Sequence, residues 1–380
     1  MSGTDRQELA SSKRILVKIG SSSLSLAKGL NYRIIERLCD DIAMLKDTGK
    51  EFAIVSSGAV ASGRAITKGC SSSEALSRKQ ALAAIGQGSL IRAYNDAFMR
   101  YGHIAAQILL TRDDIDDRYR YLNIRNTFTA LFELGAVPII NENDTVRVEE
   151  IQFSDNDMLS AMILPLLEAQ LLIILTDTGG VCHEDPRVCP DSERIPEIAD
   201  LKLKDIKSVS TNAGAIGRGG MHSKLMAAYH AGLLGVPTVI ADARAPHVIS
   251  AVLGGEDLGT LIIPPNRGRM SQKDHWIGFV SIPKGRVIID AGAVTMLTHR
   301  GKSLLPAGVT GVEGRFVEGD TVEIVDAHGQ VIATGLSNFT SEDVGRIMGA
   351  NTKDLVRILE KECDEEIVHR NNMILKGVHL

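Results

Sequence analysis

The sequence predicts an α/β protein with a mostly parallel sheet sandwiched between helices, followed by a smaller, mostly β domain. Three observations support this fold class. Strand-like and helix-like segments alternate through the first two thirds of the 380 residues, several strand-like runs are apolar on both faces, and short β-type runs separated by turn residues follow Gly254. Strands buried on both faces are typical of parallel sheets that are covered by helices.

Apolar runs that end at small or polar residues predict the strands of the first domain. They lie at residues 14–19, 52–55, 104–110, 136–140, 171–175 and 236–241. Between them, apolar residues recur at helical spacing. The predicted helices lie at residues 32–45, 80–98, 122–134, 157–167 and 223–231.

Gly, Pro and Arg cluster over residues 259–269, which predicts a domain boundary. Beyond it, β-type runs at residues 279–282, 286–290, 321–325 and 331–335 predict a second, mostly β domain. The expected organisation is a disordered tail at 1–12, the α/β domain at 13–264, a linker at 265–283, the β domain at 284–362 and a C-terminal segment at 363–380.

The composition is that of an ordinary globular protein, with 44% hydrophobic and 23% charged residues. The formal net charge of −5 does not indicate a chain-wide positive surface that would bind nucleic acid. Five scattered cysteines without a CxxC pair argue against a disulfide framework or a zinc site. Since neither a signal peptide nor an apolar run long enough to span a membrane is evident, we expect a cytoplasmic protein with no membrane contact.

Three loops after predicted strands carry residues suited to phosphate binding. The first, residues 18–22, places Lys18 beside a Gly-Ser turn, although an ordinary strand-to-helix turn would look the same. The second, residues 56–63 (SSGAVASG), lets a ligand approach the backbone, although close packing of a helix would need the same small residues. The third has four glycines within residues 214–220 and then Lys224, and it favours a loop over a polyphosphate.

A polar stretch at residues 152–159, QFSDNDML, follows the run NEND at residues 141–144. Its Asp155, Asn156 and Asp157 suit the binding of an ammonium group, but they would serve equally well as a helix N-cap. The motifs GxxxxGK[ST], GxGxxG after a strand, HExxH and GxSxG are all absent. Lysines and a carboxylate at strand ends, with a glycine loop, favour phosphoryl transfer, with Mg²⁺ bound mainly through the nucleotide.

Taken together, these motifs resemble the amino acid kinase family, and within it the members that act on glutamate. The resemblance runs from about Arg14 over nearly the whole chain, and the pair NEND and DND in this order is specific. Ile288–Ala293 and the stretch 303–308 resemble a PUA domain. The matching segments are residues 17–22 (VKIGSS), 56–59 (SSGA), 141–144 (NEND), 154–157 (SDND), 175–177 (LTD) and 219–224 (GGMHSK).

The resemblance implies a role for each matching residue. Lys18 and Lys224 would neutralise the phosphoryl group in flight, and Asp157 would hold both lysines. The glutamate-binding residues would be Ser57, Gly58, Asp144 and Asn156. ATP would be bound by Lys18, Thr176, Asp177, Arg218, Gly219, Gly220, Met221, His222, Ser223 and Lys224.

The family resemblance also implies the reaction and its regulation. ATP with Mg²⁺ would phosphorylate the side-chain carboxylate of L-glutamate in the first step of proline synthesis, in a homo-oligomer (dimer or tetramer) inhibited by proline. Two alternatives stay open: a kinase for another small acid, or an RNA-binding PUA protein. Ser154 stands where the family has Gly, and Arg218 where a small residue is usual, which affects expected affinities and proline sensitivity.

Overall fold

The computed structural model describes residues 4–26, 29–68, 75–146, 156–184, 186, 188–206, 220–265 and 269–376. The chain divides into two compact units, Met1–Arg269 and Met270–Leu380. No helix in the described ranges is long and apolar enough to cross a membrane. None of the four cysteines in these ranges, Cys39, Cys182, Cys189 and Cys363, is part of a disulfide.

The first unit is built on one eight-stranded sheet with the order β5-β6-β4-β1-β7-β9-β10-β8 and a separate two-stranded ribbon, β2-β3. All neighbours in the large sheet are parallel except β9 and β10. The strands are β1 Arg14–Ile19, β2 Ser25–Leu26, β3 Gly29–Leu30, β4 Glu51–Ser56, β5 Ala105–Leu110, β6 Val137–Glu142, β7 Leu171–Thr176, β8 Glu197–Ala199, β9 Thr238–Asp242 and β10 Thr260–Ile263.

Ten α-helices of the first unit lie in the described ranges. They are α1 Thr4–Glu8, α2 Ser21–Leu24, α3 Tyr32–Lys46, α4 Ala59–Ile66, α5 Leu76–Met99, α6 Arg112–Asp116, α7 Arg118–Glu133, α8 Asn156–Leu167, α9 Gly220–Leu233 and α10 Val248–Leu253. Helices cover both faces of the sheet, so the predicted fold class is confirmed. The strands and helices listed above for the first domain all occur, with ends shifted by a few residues. Elements that were not predicted include β2, β3, β8 and β10 and the helices α1, α2, α6 and α10.

Side-chain alternation along β1 explains how the sheet separates its core from its site. Ile15, Val17 and Ile19 belong to the hydrophobic core formed with α3 and α5. Successive side chains of a strand point to opposite faces, so Lys18 faces the other side, where α8 packs against β1. A single strand therefore contributes alternately to the core and to the site.

The expected disordered tail at residues 1–12 is wrong for its described part, because residues 4–11 form two short helices. Arg6 is the physical reason. Its guanidinium is buried and donates four hydrogen bonds of 2.7–3.0 Å to backbone carbonyls. The acceptors are the carbonyl oxygens of Pro196, Glu256, Leu258 and Gly259.

The second unit contains a five-stranded sheet with the order β12-β11-β13-β14-β15, in which only β11 and β13 pair in parallel. Its strands are β11 Gly285–Ile289, β12 Val309–Gly314, β13 Thr321–Val325, β14 Val331–Leu336 and β15 Met373–Leu375. Its α-helices are α11 Gln272–His275, α12 Ala291–Arg300, α13 Ser341–Ile347 and α14 Leu355–Leu359.

Two sequence expectations differ from the second unit as observed. The strand predicted at residues 279–282 is wrong, because Trp276–Val280 forms a π-helical turn that continues α11 and buries Trp276, Ile277 and Val280. Ser271 caps the start of this helical segment. The expected C-terminal segment at 363–380 contributes β15, which pairs with β14 and so extends the sheet.

Candidate active site

The candidate site lies at the carboxyl ends of the central parallel strands. Four polar residues occupy the last or next-to-last position of their strands. They are Lys18 in β1, Ser56 in β4, Asn141 in β6 and Thr176 in β7. Because these four strands are parallel neighbours, their ends lie at the same edge of the sheet. This edge is where open α/β sheets bind their ligands.

Asp157, in the first turn of α8, bridges two lysines from distant parts of the chain. Lys18 Nζ forms an ion pair with Asp157 Oδ1, and Lys224 Nζ lies 3.0 Å from Asp157 Oδ2. Ser223 Oγ donates to the same Oδ2 at 2.7 Å. All three charged residues are buried, with 3% of Lys18, 1% of Asp157 and 9% of Lys224 exposed. The fold therefore brings together all three residues that were predicted to be catalytic.

The charge state of Asp157 follows from two opposing effects. Burial alone raises the pKa of this carboxyl group, because it disfavours the charged form. Lys18, Lys224 and the hydroxyl of Ser223 stabilise the carboxylate more strongly and hold the pKa of Asp157 below its ordinary value. The group is thus an anion at neutral pH.

Two backbone loops border this cluster. Gly20 N donates to Leu175 O at 3.4 Å, which ties the first loop to β7. Ser57 N donates to Ile19 O at 3.2 Å, which ties the second loop to β1. Gly58 has φ +111°, a conformation that favours glycine, and it directly precedes α4. The predicted first and second loops therefore lie side by side.

Amide side chains form a second cluster next to Ser57. Asn156 Nδ2 donates to Ser57 Oγ at 2.8 Å and to Asn141 Oδ1 at 3.0 Å. Asn141 Nδ2 then donates to Gln87 Oε1 at 3.0 Å. Sequence reasoning did not identify Gln87, which lies within the long helix α5, and no local motif distinguishes it there.

Thr176 and Asp177 lie at the end of β7, and a cation from the neighbouring strand lies beside them. Thr176 Oγ1 donates to Asp177 Oδ1 at 3.1 Å, and Arg244 Nη2 donates to Asp177 O at 2.8 Å. Asp242, which ends β9, holds Arg244 with both carboxylate oxygens. Arg244 was also missed, although a charged residue just after a predicted parallel strand could have indicated it.

The remaining predicted residues divide into three groups. Gly220, Met221 and His222 form the first turn of α9, directly before Ser223 and Lys224. Asp144 is half-buried and begins a 3₁₀ turn, Asp144–Val146, that packs against α5. Arg218 and Gly219, together with Ser154 and Asp155, lie outside the described residues.

Comparison with known families agrees with this geometry. The model of the amino acid kinase family matches residues 13–242, which is more than half of the chain. The chain belongs to the amino acid kinase family. A PUA-domain model matches residues 285–359, within the second unit. The amino acid kinase fold and the PUA domain predicted from the sequence are both confirmed.

Members of the amino acid kinase family from several bacteria are similar over nearly the full length of this chain. The glutamate 5-kinase of Nitratidesulfovibrio vulgaris (strain DP4) is 41% identical over 370 residues, covering 97% of each chain. That of Trichlorobacter lovleyi is 42% identical over 365 residues, covering 96% of each. That of Syntrophotalea carbinolica is 43% identical over 373 residues, covering 98% of this chain and 100% of the relative. The similarity therefore spans both units.

Proposed function

We propose that this chain is an ATP-dependent kinase that phosphorylates the side-chain carboxylate of L-glutamate, the first step of proline biosynthesis. The observation that carries the proposal is the buried Lys18–Asp157–Lys224 bridge at the carboxyl edge of the sheet. The name of the relatives, glutamate 5-kinase, supplies the substrate.

The lysine bridge fits phosphoryl transfer between two anions. In this reaction the bond from Pγ to the bridging oxygen of ATP breaks, a bond from Pγ to a glutamate carboxylate oxygen forms, and ADP leaves. The protein must position the reactants and neutralise the charge on the phosphoryl oxygens. In this proposal Lys18 and Lys224 supply that positive charge, and Asp157 keeps the two ammonium groups at fixed positions.

Different groups of residues would bind the two substrates, the phosphoryl acceptor and the phosphoryl donor. On the acceptor side, Ser57, Gly58, Asp144 and Asn156 would bind glutamate. On the donor side, the residues at the end of β7 and at the start of α9 would bind ATP. These are Thr176, Asp177, Arg218, Gly219, Gly220, Met221, His222 and Ser223, together with Lys18 and Lys224. Backbone amides at the start of the 14-residue helix α9 suit phosphate oxygens.

We expect Mg²⁺ to bind together with ATP. The described residues suit a metal ion that is bound mainly through the nucleotide. Both oxygens of Asp157 are taken by cationic groups or hydroxyls. Within the described ranges no group of three His, Cys, Asp or Glu could hold a metal. When bound, Mg²⁺ would neutralise part of the phosphate charge, held chiefly by phosphate oxygens and water.

Proline inhibition, a homo-oligomer and a cytoplasmic location remain predictions. RNA binding by the PUA domain is the second candidate function, and the PUA match is what favours it. Among the basic residues of the PUA domain, Arg286 is paired with Glu323 at 2.9 Å, which reduces its availability for phosphates. A salt-sensitive gel shift with RNA would support this function.

A trapping assay tests the proposed reaction. Purified protein, ATP and Mg²⁺ are incubated with glutamate and hydroxylamine, which converts an acyl phosphate to a hydroxamate. We expect hydroxamate and ADP in equal amounts, dependent on glutamate, and less of both when proline is added. Greater turnover with aspartate, acetylglutamate or a nucleoside monophosphate would indicate a kinase for another acceptor.

A further inference from the structure

An amide relay connects α5 to the proposed glutamate site. It runs from Gln87 through Asn141 to Asn156, with a hydrogen bond of 3.0 Å at each step. Its last member also donates to Ser57 Oγ at 2.8 Å. The relay therefore joins a helix that carries none of the predicted site residues to two residues of the predicted substrate pocket.

The relay has a fixed direction, because an amide has distinct donor and acceptor ends. Gln87 presents its oxygen, so Asn141 must present its nitrogen to Gln87 and its oxygen to Asn156. Asn156 must then present its nitrogen to Asn141, and its second hydrogen goes to Ser57. The orientation of Asn156 is thus coupled, through Asn141, to that of Gln87, whose own Nε2 is buried without a hydrogen-bond partner within the described part of the chain.

This orientation leaves one acceptor unused. Asn156 Oδ1 is buried and has no hydrogen-bond partner within the described part of the chain. Buried polar atoms without a partner are rare in native proteins, and such an atom in a substrate pocket indicates a ligand group. An oxygen acceptor matches a group that can only donate, such as an ammonium group.

The backbone holds Gln87 rigidly in place. The preceding Gly86 packs so closely against α4 that an added Cβ would lie 1.9 Å from Ala59 O. One face of α5 also anchors β4 directly, because Tyr94 Oη and Ser56 Oγ are hydrogen-bonded at 2.9 Å. Gln87 therefore reaches the site from a helix that is fixed to β4 and to α4, the two elements on either side of Ser57.

We propose that Gln87 is a positioning residue for substrate selection: it orients the relay so that Asn156 Oδ1 accepts a hydrogen bond from the α-ammonium group of an amino acid. This inference rests on the proposed function and specifies how that site distinguishes an amino acid from the corresponding dicarboxylic acid. Gln87 itself acts only through Asn141 and Asn156.

The test compares glutamate with glutarate, which has both carboxylates but no amino group, in the hydroxamate assay. We expect Gln87→Leu to lower kcat/KM for glutamate about tenfold, mainly through KM. The values for glutarate and the KM for ATP should stay nearly unchanged, because neither depends on the Asn156 oxygen. Asn95→Leu is the matched control, since this amide on the same helix bonds only to Met99 among the described contacts.

A double-mutant cycle separates positioning from general damage. If Gln87 acts through Asn156, adding Gln87→Leu to Asn156→Ala should cause no further loss with glutamate. Equal losses with glutamate and glutarate, or additive losses in the cycle, would overturn the inference. If wild-type protein used no glutamate but another α-amino acid, the proposed function would fail and the same comparison with its deaminated analogue would decide the role of Gln87. Preference of the wild type for acids without an amino group would overturn both.

Discussion

Lys224 Nζ donates to Asp157 Oδ2 at 3.0 Å, while the other carboxylate oxygen of Asp157 pairs with Lys18. The first turn of α8 thus holds cations from a central strand and from a helix far along the chain. A buried carboxylate between two ammonium groups fixes their positions better than either pair would alone. The predictions that follow test the parts of this arrangement and the scaffold behind it.

Replacing Lys224 by alanine removes one of the two cations but leaves Asp157 paired with Lys18. We expect turnover to fall about 10²–10³-fold, because a charge aimed at the phosphoryl group is lost. The measurement is kcat in the hydroxamate assay, with circular dichroism to check the fold. Lys202→Ala, at a half-exposed lysine paired with Asp200, should behave as wild type. A folded Lys224→Ala protein with near wild-type turnover would rule out the role.

The Asp157→Asn variant keeps the shape of the bridge but removes its negative charge. Two buried ammonium groups would then face each other without a counter-ion, and we expect a loss of about 3–5 kcal/mol in the free energy of unfolding. Denaturant titration measures this loss, and kcat should fall as well. Asp96→Asn is the control, because its carboxylate is exposed and pairs only with exposed Arg92 among the described contacts. Equal unfolding midpoints for the two variants would contradict the prediction.

The buried His230 on α9 predicts a specific dependence of stability on pH. Burial first, and then the charge of Arg112, lower the pKa of His230 to about 4 from an ordinary value of 6.5. The unfolded chain therefore binds a proton more tightly, and stability is complete above about pH 6.5 and lost as the pH falls towards 4. This loss amounts to about 3 kcal/mol.

Denaturant titrations between pH 4 and 7 measure the effect of His230. In His230→Gln, the decline of stability across this window should be flatter than in wild type, whatever the absolute stability of the variant. The control is the same substitution at an exposed histidine, His299→Gln, in the last turn of α12. A wild-type slope retained in His230→Gln would show that other groups cause the pH dependence.

Two glycines of α5 offer a matched pair that tests the contact with α4. A Cβ at Gly86 would lie 1.9 Å from Ala59 O, whereas a Cβ at Gly88 would meet nothing within 4 Å. We expect Gly86→Ala to force the helices apart and lower the melting temperature and the activity together. Gly88→Ala should raise stability by about 0.5–1 kcal/mol, as expected for alanine within a helix. Similar melting temperatures for the two variants would argue against the close contact.

The N-terminal Arg6 gives a prediction about the far edge of the first sheet. Its guanidinium satisfies four backbone carbonyls and is buried, so Arg6→Ala would leave acceptors without donors. The expected loss is about 1–3 kcal/mol in the free energy of unfolding. Arg92→Ala, at an arginine whose side chain is 82% exposed, should change the unfolding midpoint little. Identical unfolding curves for both variants would refute this account of the N-terminal segment.

Much of the first unit could be predicted from the sequence because its strands are continuous apolar runs. Strand β7 is buried at every position, and its pattern LLIILT gives both its type and its parallel environment. Asp157, Lys18 and Lys224 could also be predicted, because each lies in a distinctive local motif at a strand end or a helix start. These are cases in which local sequence and global position agree.

The rest depended on long-range contacts that leave no local signal. Gln87 lies 54 positions from Asn141, and nothing in α5 shows that one of its polar side chains faces inward. Arg6 looked like part of a frayed tail because its partners lie about 190–250 positions away. The run at residues 279–282 looked like a strand because three apolar residues within four positions fit either period over so short a run, whereas its first two residues end the π-helical turn Trp276–Val280.

The central place of β1 in its sheet has a consequence for synthesis on the ribosome. β1 pairs with β4 on one side and with β7 on the other. Lys224 is synthesised 206 positions after Lys18, and only then can Asp157 bind both cations. At usual elongation rates that interval is roughly 10–40 s. During the first part of it, until β7 has been synthesised, the nascent chain would carry an apolar β1 edge without its second neighbour. Such an open strand edge is a natural target for a chaperone, and the enzyme would gain activity only after α9 has left the exit tunnel.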